Sequence, residues 1–286
     1  MRQELGGRLT VGRLDGKVAL VTGAARAQGR AHAVALAAEG ATVAVTDIGS
    51  DIDTVPYPLG TEDELKETRR LVEELGVSSL ATLADIRDSA QVEAVVDEVV
   101  KTFERLDILV ANAGVCHGVA IDKMSDDDWR NLLDTNLTGT FWCLRAALPH
   151  MRRGGYGRVV AIASGAGRSA IPNMAHYTAS KWGVIGMVKA FALETAGSGI
   201  TANVVSPSNV RSPMVVNEHN LRLFCPDIAE PTEQDIIPRM AAMNPLGIPW
   251  VEPEIVSAAV LYLVTDPGFT TGTVLEVNLG TSASRP

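Results

Sequence analysis

Cysteine, surplus positive charge and long apolar runs are all scarce in this chain of 286 residues. Its three cysteines, Cys116, Cys143 and Cys225, are odd in number and far apart. That excludes a fully paired disulfide framework and a clustered zinc motif, and it fits reduced thiols in a reducing compartment. Lysine and arginine together number 25 against 34 acidic residues, a formal charge of −9. Such a surface does not attract nucleic acid or anionic lipid, so a small-molecule ligand is expected instead. No stretch approaches the roughly 20 apolar residues of a membrane span. The opening MRQELGGRLTVGR also lacks the apolar core of a secretory signal. A cytoplasmic protein with a short mobile tail over 1–14 is the expectation. His32, His117, His150, His176 and His219 show no metal-binding spacing. No repeat or linker divides the rest, which reads as one domain over 15–286.

What is present is alternation. Short β-branched runs at 17–22, 42–47, 79–84, 107–111, 157–163, 201–205 and 273–277 predict strands, with helical patterns between most of them. This is the signature of an α/β, doubly wound, seven-stranded parallel sheet of the Rossmann type. Two helix starts are marked by capping boxes, Thr61 with Glu64 and Ser125 with Asp128. Two segments break the pattern. One is the turn-rich insertion 49–61. The other is 208–249, which holds Pro213, Pro226, Pro231, Pro238, Pro245 and Pro249. Its apolar residues, among them Met214, Leu221, Phe224, Ile228 and Met240, suggest a lid over an apolar alcohol or ketone.

The first chemical motif is TGAARAQGR, Thr22 to Arg30, between a strand and an alanine-rich helix. Gly23 and Gly29 allow backbone N–H groups to approach a pyrophosphate at the positive end of the helix. Ala27 stands where glycine is usual, and is expected to have the negative φ of a residue entering a helix. Asp47 ends the second strand, placed to bind the adenosine ribose hydroxyls and repel a 2′-phosphate. Arg26 is the opposing signal, because a cation there suits NADP. The balance favours NAD.

The second motif is YTASK. Tyr177 and Lys181 lie about one helical turn apart and share a face. A phenol with an ordinary pKa of about 10 acts as a base near neutrality only if a cation favours phenolate, and Lys181 is expected to supply that field. Ser164, ending GRVVAIAS, is placed to hold the same substrate oxygen. Alone, a Tyr–Lys pair is an exposed helix face; after a nucleotide loop and a serine-ended strand it becomes a candidate active site.

In these residues the chain resembles the short-chain dehydrogenase/reductases, over about 15–283. Thr22, Gly23 and Gly29 match the family's glycine loop, with Ala27 departing. Asn112, Ala113 and Gly114 match its N-N-A-G motif, with Ala111 departing. Tyr177 and Lys181 match Y-x-x-x-K, and SPSNVRSPM matches its P-G-x-V-x-T-P-M with Ser208 for glycine. The resemblance implies catalytic roles for Asn136, Ser164, Tyr177 and Lys181, with Asn136 holding a water that relays protons from Lys181. It implies cofactor contacts from Gly23, Arg26, Ala27, Gln28, Gly29, Asp47, Ile48, Asp85, Ile86, Asn112, Ala113, Gly114, Tyr177, Lys181, Pro207, Val210 and Ser212, with Asp85 at the adenine. A homotetramer built on helices near 126–153 and 176–196 is implied as well. A narrower likeness to the NAD-dependent, carveol dehydrogenase-like subgroup implies mycofactocin as an external electron carrier. The expected reaction is hydride transfer between a secondary alcohol, apolar and cyclic or terpenoid, and NAD. The alternatives are an NADPH-dependent carbonyl reductase and a non-catalytic NAD-binding sensor or assembly module.

Overall fold

Each β-branched run becomes a strand: β1 (Val18–Thr22), β2 (Thr42–Asp47), β3 (Ser79–Leu83), β4 (Ile108–Ala111), β5 (Gly157–Ile162), β6 (Ile200–Pro207) and β7 (Val274–Val277). The computed structural model describes residues 12–283. The strands form one seven-stranded sheet in the order β3-β2-β1-β4-β5-β6-β7, and every pairing is parallel. β1, β4, β5 and β6 are buried along their whole length, whereas the edge strands β3 and β7 are only partly covered. Helices on both faces explain why the inner strands carry no polar alternation.

One face is covered by α1 (Ala27–Ala38), α2 (Glu62–Glu73) and α9 (Pro253–Thr265), the other by α3 (Ser89–Phe103), α5 (Gly139–Gly154) and α6 (Ala175–Glu194). In α1 the buried residues are Gly29, His32, Ala33, Leu36 and Ala37, a helical stripe of mostly small side chains. Its smallness lets α9 come close, and His32 Nδ1 lies 2.7 Å from Ser257 Oγ. Both expected capping boxes form. The Glu64 N–H donates to Thr61 Oγ1 at 3.2 Å and the Asp128 N–H to Ser125 Oγ at 3.0 Å, which starts α2 and α4 (Asp126–Leu133).

Two expectations need correction. Arg13 and Leu14, assigned to a mobile tail, belong to the folded domain. Leu14 is buried and its N–H donates to the Glu39 carbonyl at 2.9 Å, while Arg13 pairs with the Glu39 carboxylate. The remainder of that tail, 1–11, lies outside the described residues. The proline-rich 208–249 segment is not an irregular loop either. It contains α7 (Glu218–Phe224) and α8 (Glu233–Ala242), and buries a small core of its own from Cys225, Ile236 and Met240. Apolar spacing across the two short helices outweighs the prolines, of which Pro238 sits inside α8.

Candidate active site

Strand order reverses between β1 and β4, so their C-terminal ends leave a crevice at the switch point of the sheet. Asn112 fastens this crevice. Its N–H donates to Thr22 Oγ1 at 3.1 Å, and its Nδ2 donates to the carbonyls of Thr22 and Gly23 at 2.9 and 3.1 Å. Two glycines shape the floor. Gly23 has φ +64, and a Cβ there would lie 2.6 Å from Ala113 Cα; a Cβ on Gly29 would lie 2.0 Å from the Gly23 carbonyl oxygen. Only bare backbone fits, beside the amino end of α1, where an anion is favoured. The donor set therefore fits the pyrophosphate of a dinucleotide.

A cleft opens above this floor. Of the residues singled out from sequence, Gly23, Arg26, Ala27, Gln28, Gly29, Asp47, Ile48, Asp85, Ile86, Asn112, Ala113, Gly114 and Ser212 line it. Pro207 ends β6, and Val210 is buried in a bridge to Val251; neither reaches the cleft wall, and Asn136, Ser164, Tyr177 and Lys181 stand behind that wall rather than on it.

Ala27 contradicts its expectation: its φ is +47. Arg26 before it is extended, with φ −157, so the chain enters the helix within one residue and takes a left-handed conformation to do so. That geometry favours glycine and costs alanine about 1 kcal/mol. Asp47 is anchored, its carboxylate accepting from the N–H groups of Ala25 and Ile48 at 2.9 and 2.8 Å. Burial raises its pKa, against the pull of those two bonds and of Arg26. Arg26 itself donates to the Pro58 carbonyl and stands 3.8 Å from Glu64, so it is bound to the insertion. Asp85 is gripped by Arg87 at 2.6 Å, and Arg87 donates onward to Asn131 at 2.9 Å.

The insertion 49–61 contributes a wall that the motifs did not disclose. Ile52, Tyr57, Leu59 and Gly60 line the cleft. The Tyr57 hydroxyl accepts from the Cys116 N–H at 3.1 Å. Ile52, Val55 and Tyr57 pack with Val115, Leu132, Tyr177 and Met214. The segment thus runs from Asp47 to the neighbourhood of Tyr177. Its sequence signal was an aromatic between two prolines, Pro56-Tyr57-Pro58, inside a run read only as turns.

At the far end, α6 carries Tyr177 and Lys181, and Ser164 caps the short turn Gly165–Gly167 after β5. Lys181 is buried, donates to the Ile162 carbonyl at 2.9 Å, and stands 5.7 Å from the centre of the Tyr177 ring. Asn136 lies in a π-helical turn, Asp134–Thr138. Its Oδ1 accepts from the Val115 N–H at 2.8 Å, and its Nδ2 donates to the Val115 carbonyl at 2.9 Å and to Ser180 Oγ at 3.2 Å. Its side chain therefore fixes the loop after β4. A Cβ on Gly114 would stand 3.1 Å from Asn136 Oδ1 and 3.5 Å from Lys181 Nζ, so this glycine lets the two share a corner.

The electrostatics differ from the sequence expectation. Burial drives the Tyr177 phenol upward, and the Ser164 hydroxyl, as hydrogen-bond partner, pulls the other way. The same burial lowers Lys181 to about 8. Burial outweighs every other influence on both groups, and Lys181 is not among the groups that act on the phenol.

A cradle of this kind takes a dinucleotide, and with a phenol and an ammonium close behind its wall it has the pattern of a dinucleotide-dependent oxidoreductase. The chain belongs to the short-chain dehydrogenase family, whose model matches residues 17–221. It is 42% identical over 273 residues to (-)-trans-carveol dehydrogenase of Rhodococcus erythropolis, covering 94% of this chain and 99% of that one. Among solved structures, carveol dehydrogenase from Mycobacterium avium in complex with NAD matches with a TM-score of 0.93 and 42% identity, over 96% of this chain and all (100%) of that one. A short chain dehydrogenase from Mycobacterium paratuberculosis bound to NAD matches with a TM-score of 0.86 and 37% identity, over 95% and 100% of the two chains.

Proposed function

We propose that this short-chain dehydrogenase, whose cofactor is NAD, acts on an apolar, cyclic secondary alcohol of the terpenoid class. The observation that carries the reading is the grouping of Ser164 and Lys181 about Tyr177, with Lys181 sharing a corner with Gly114 on the wall of a glycine-floored cleft. The similarity to carveol dehydrogenases supports the substrate class. Apolar Ile52, Val115 and Met214 on the cleft wall support it as well.

Gly23 and Gly29 admit the pyrophosphate, Asp47 binds the adenosine ribose, and Asp85 and Ile86 border the adenine. Gly114 and Ser212 border the nicotinamide half, and Pro207 and Val210 hold the backbone that leads to Ser212. NAD, when bound, would supply the hydride acceptor. Tyr177 takes the hydroxyl proton as general base, Ser164 orients the oxygen, and Lys181 holds the ribose and stabilises the phenolate. Asn136 holds the loop that places Gly114 beside Lys181, and we assign it the outward proton relay. The engagement of Arg26 by Pro58 and Glu64 supports NAD over NADP, since that cation is already partnered.

The insertion acts as a clamp on the cofactor, and segment 208–249 as the substrate lid. Slow cofactor exchange would make an external carrier useful, and mycofactocin, implied by likeness to the carveol dehydrogenase-like subgroup, fits that need. A homotetramer is supported by exposed apolar residues on the two expected helices, Phe141 at 41% and Trp182 at 55%. A cytoplasmic location is supported by three free thiols. Among the described residues no helix is long and apolar enough to cross a membrane.

The test is a panel of cyclic and acyclic secondary alcohols assayed with NAD and with NADP. Reduction of NAD by cyclic terpenoid alcohols is the expected result. Turnover confined to NADP, or no turnover with any alcohol, would overturn the reading.

A further inference from the structure

Two histidines outside the mechanism above meet beside the loop that receives α7, and a third lies on α7 itself. His117 follows β4, His176 is in the first turn of α6, and His219 is on α7. His117 and His176 are 3% and 0% exposed, with their Nε2 atoms 3.4 Å apart and their rings edge to face. His117 Nε2 also lies 3.3 Å from Asp128 Oδ1 on α4, and Asp128 is itself held by the Ser125 capping box. On α7, His219 and Leu223 are one turn apart and share a face. A Cβ on Gly118 would lie 3.1 Å from Leu223 Cδ2, which seats that face on the loop after β4. His219 acts electrostatically against a positive charge on His117. The remaining charged residues of α7, Glu218 and Arg222, are exposed and pair with each other at 2.8 Å.

Three ring nitrogens of this cluster, His117 Nδ1, His176 Nδ1 and His219 Nε2, are shut from solvent without a hydrogen-bond partner. A neutral imidazole can leave one nitrogen as a bare acceptor; an imidazolium has two N–H donors to satisfy. A proton on His117 would leave an Nδ1–H with no acceptor. A buried donor without an acceptor is costly. Burial accordingly lowers the His117 pKa despite the opposing pull of Asp128, and lowers His176 to about 4.

We propose that His117 is a positioning residue for the substrate lid: neutral, it lets α7 seat on the loop after β4, and protonated it releases α7. This rests on the reading of 208–249 as a lid. With its pKa lower in the seated state than in the open one, His117 supports full seating above the open-state pKa. Seating weakens as pH falls through that value, about tenfold per pH unit until the seated-state pKa is reached.

The test is amide hydrogen exchange on the NAD-loaded protein without substrate, between about pH 7.5 and about pH 5.5, the range in which histidine charges. Rates are corrected for intrinsic pH dependence. Amides of 218–224 should lose protection at least several-fold at the lower pH, while those of β5 hold theirs. His117→Gln and His219→Gln should each flatten that response, and KM for the alcohol should rise on acidification in the parent but less in the variants. An α7 response no larger than that of β5, or a parental response retained in both variants, overturns the proposal. Because exchange is read without turnover, failure to find an alcohol substrate would overturn the activity and leave this result standing.

Discussion

The two ends of the cleft are built on different principles. At the β1–α1 end, position is set by backbone: Gly23 and Gly29 have no room for a Cβ, and Asn112 ties β4 to β1 through main-chain groups. At the lid end, position is set by side chains, through the small core of Cys225, Ile236 and Met240 and the seat of Leu223 on Gly118. A backbone-defined site tolerates almost no substitution but accepts one ligand geometry very well. A side-chain-defined site can be repacked, so it is the end at which substrates can change while the cofactor stays the same.

Breaking the chemistry should have the largest effect. Tyr177→Phe removes one hydroxyl and keeps the ring, so turnover should fall by roughly 10²–10⁴-fold, while calorimetric NAD affinity stays near the parental value. The backbone-defined end is tested by Gly29→Ala. Its methyl would lie 2.0 Å from the Gly23 carbonyl oxygen, and overpacking of this kind costs about 1–3 kcal/mol. Both NAD affinity and the thermal midpoint should fall; a variant with parental values in both would show that the floor can shift.

The insertion straddles both ends. Shortening 49–61 should speed NAD release at least about tenfold, close to 1.4 kcal/mol, with binding retained; stopped-flow displacement would measure it. Asp47→Ala should raise the affinity for NADP relative to NAD by about tenfold or less, since an exposed ribose rim is partly screened by water. The ratio of the two dissociation constants reads this directly. The smallest effect belongs to Ala27→Gly. Relief of the left-handed strain is offset by a more flexible unfolded chain, and the net gain should be under about 1 kcal/mol. A drop in thermal midpoint would show that Ala27 does not hold the φ of +47 seen here.

The sheet was legible because each strand is a continuous β-branched run between turn formers, and only its ends drifted: β6 runs to Pro207, beyond the expected 205. The phosphate floor was legible because glycine has a local conformational meaning. Ala27 misled because its φ is imposed by the extended Arg26 before it, a constraint that propensity does not carry. Tyr57 was missed because its role depends on Cys116, which is 59 residues away in the chain. The helices of segment 208–249 were hidden by prolines: five flank them, and Pro238 sits inside α8, where a proline argues against a helix. The charge states of Tyr177 and Lys181 depend on burial, to which a motif is blind.

The lid also has a base. Val210 bridges to Val251, with the Arg211 N–H donating to the Val251 carbonyl at 3.1 Å and the Val251 N–H donating to the Asn209 carbonyl at 2.8 Å. Entry and exit of the segment are therefore side by side, and its interior is closed off like a cassette with two adjacent ends. Closing a loop on such a base depends only weakly on the number of residues inside. Lengthening, trimming or exchanging the stretch between Val210 and Val251 need not disturb the register of β6 with β7. On the proposed reading of this segment as a substrate lid, it is a replaceable cartridge: new alcohols can be sampled by rewriting one contiguous stretch of sequence beyond Met214, while the cofactor-lining residues before it are inherited intact.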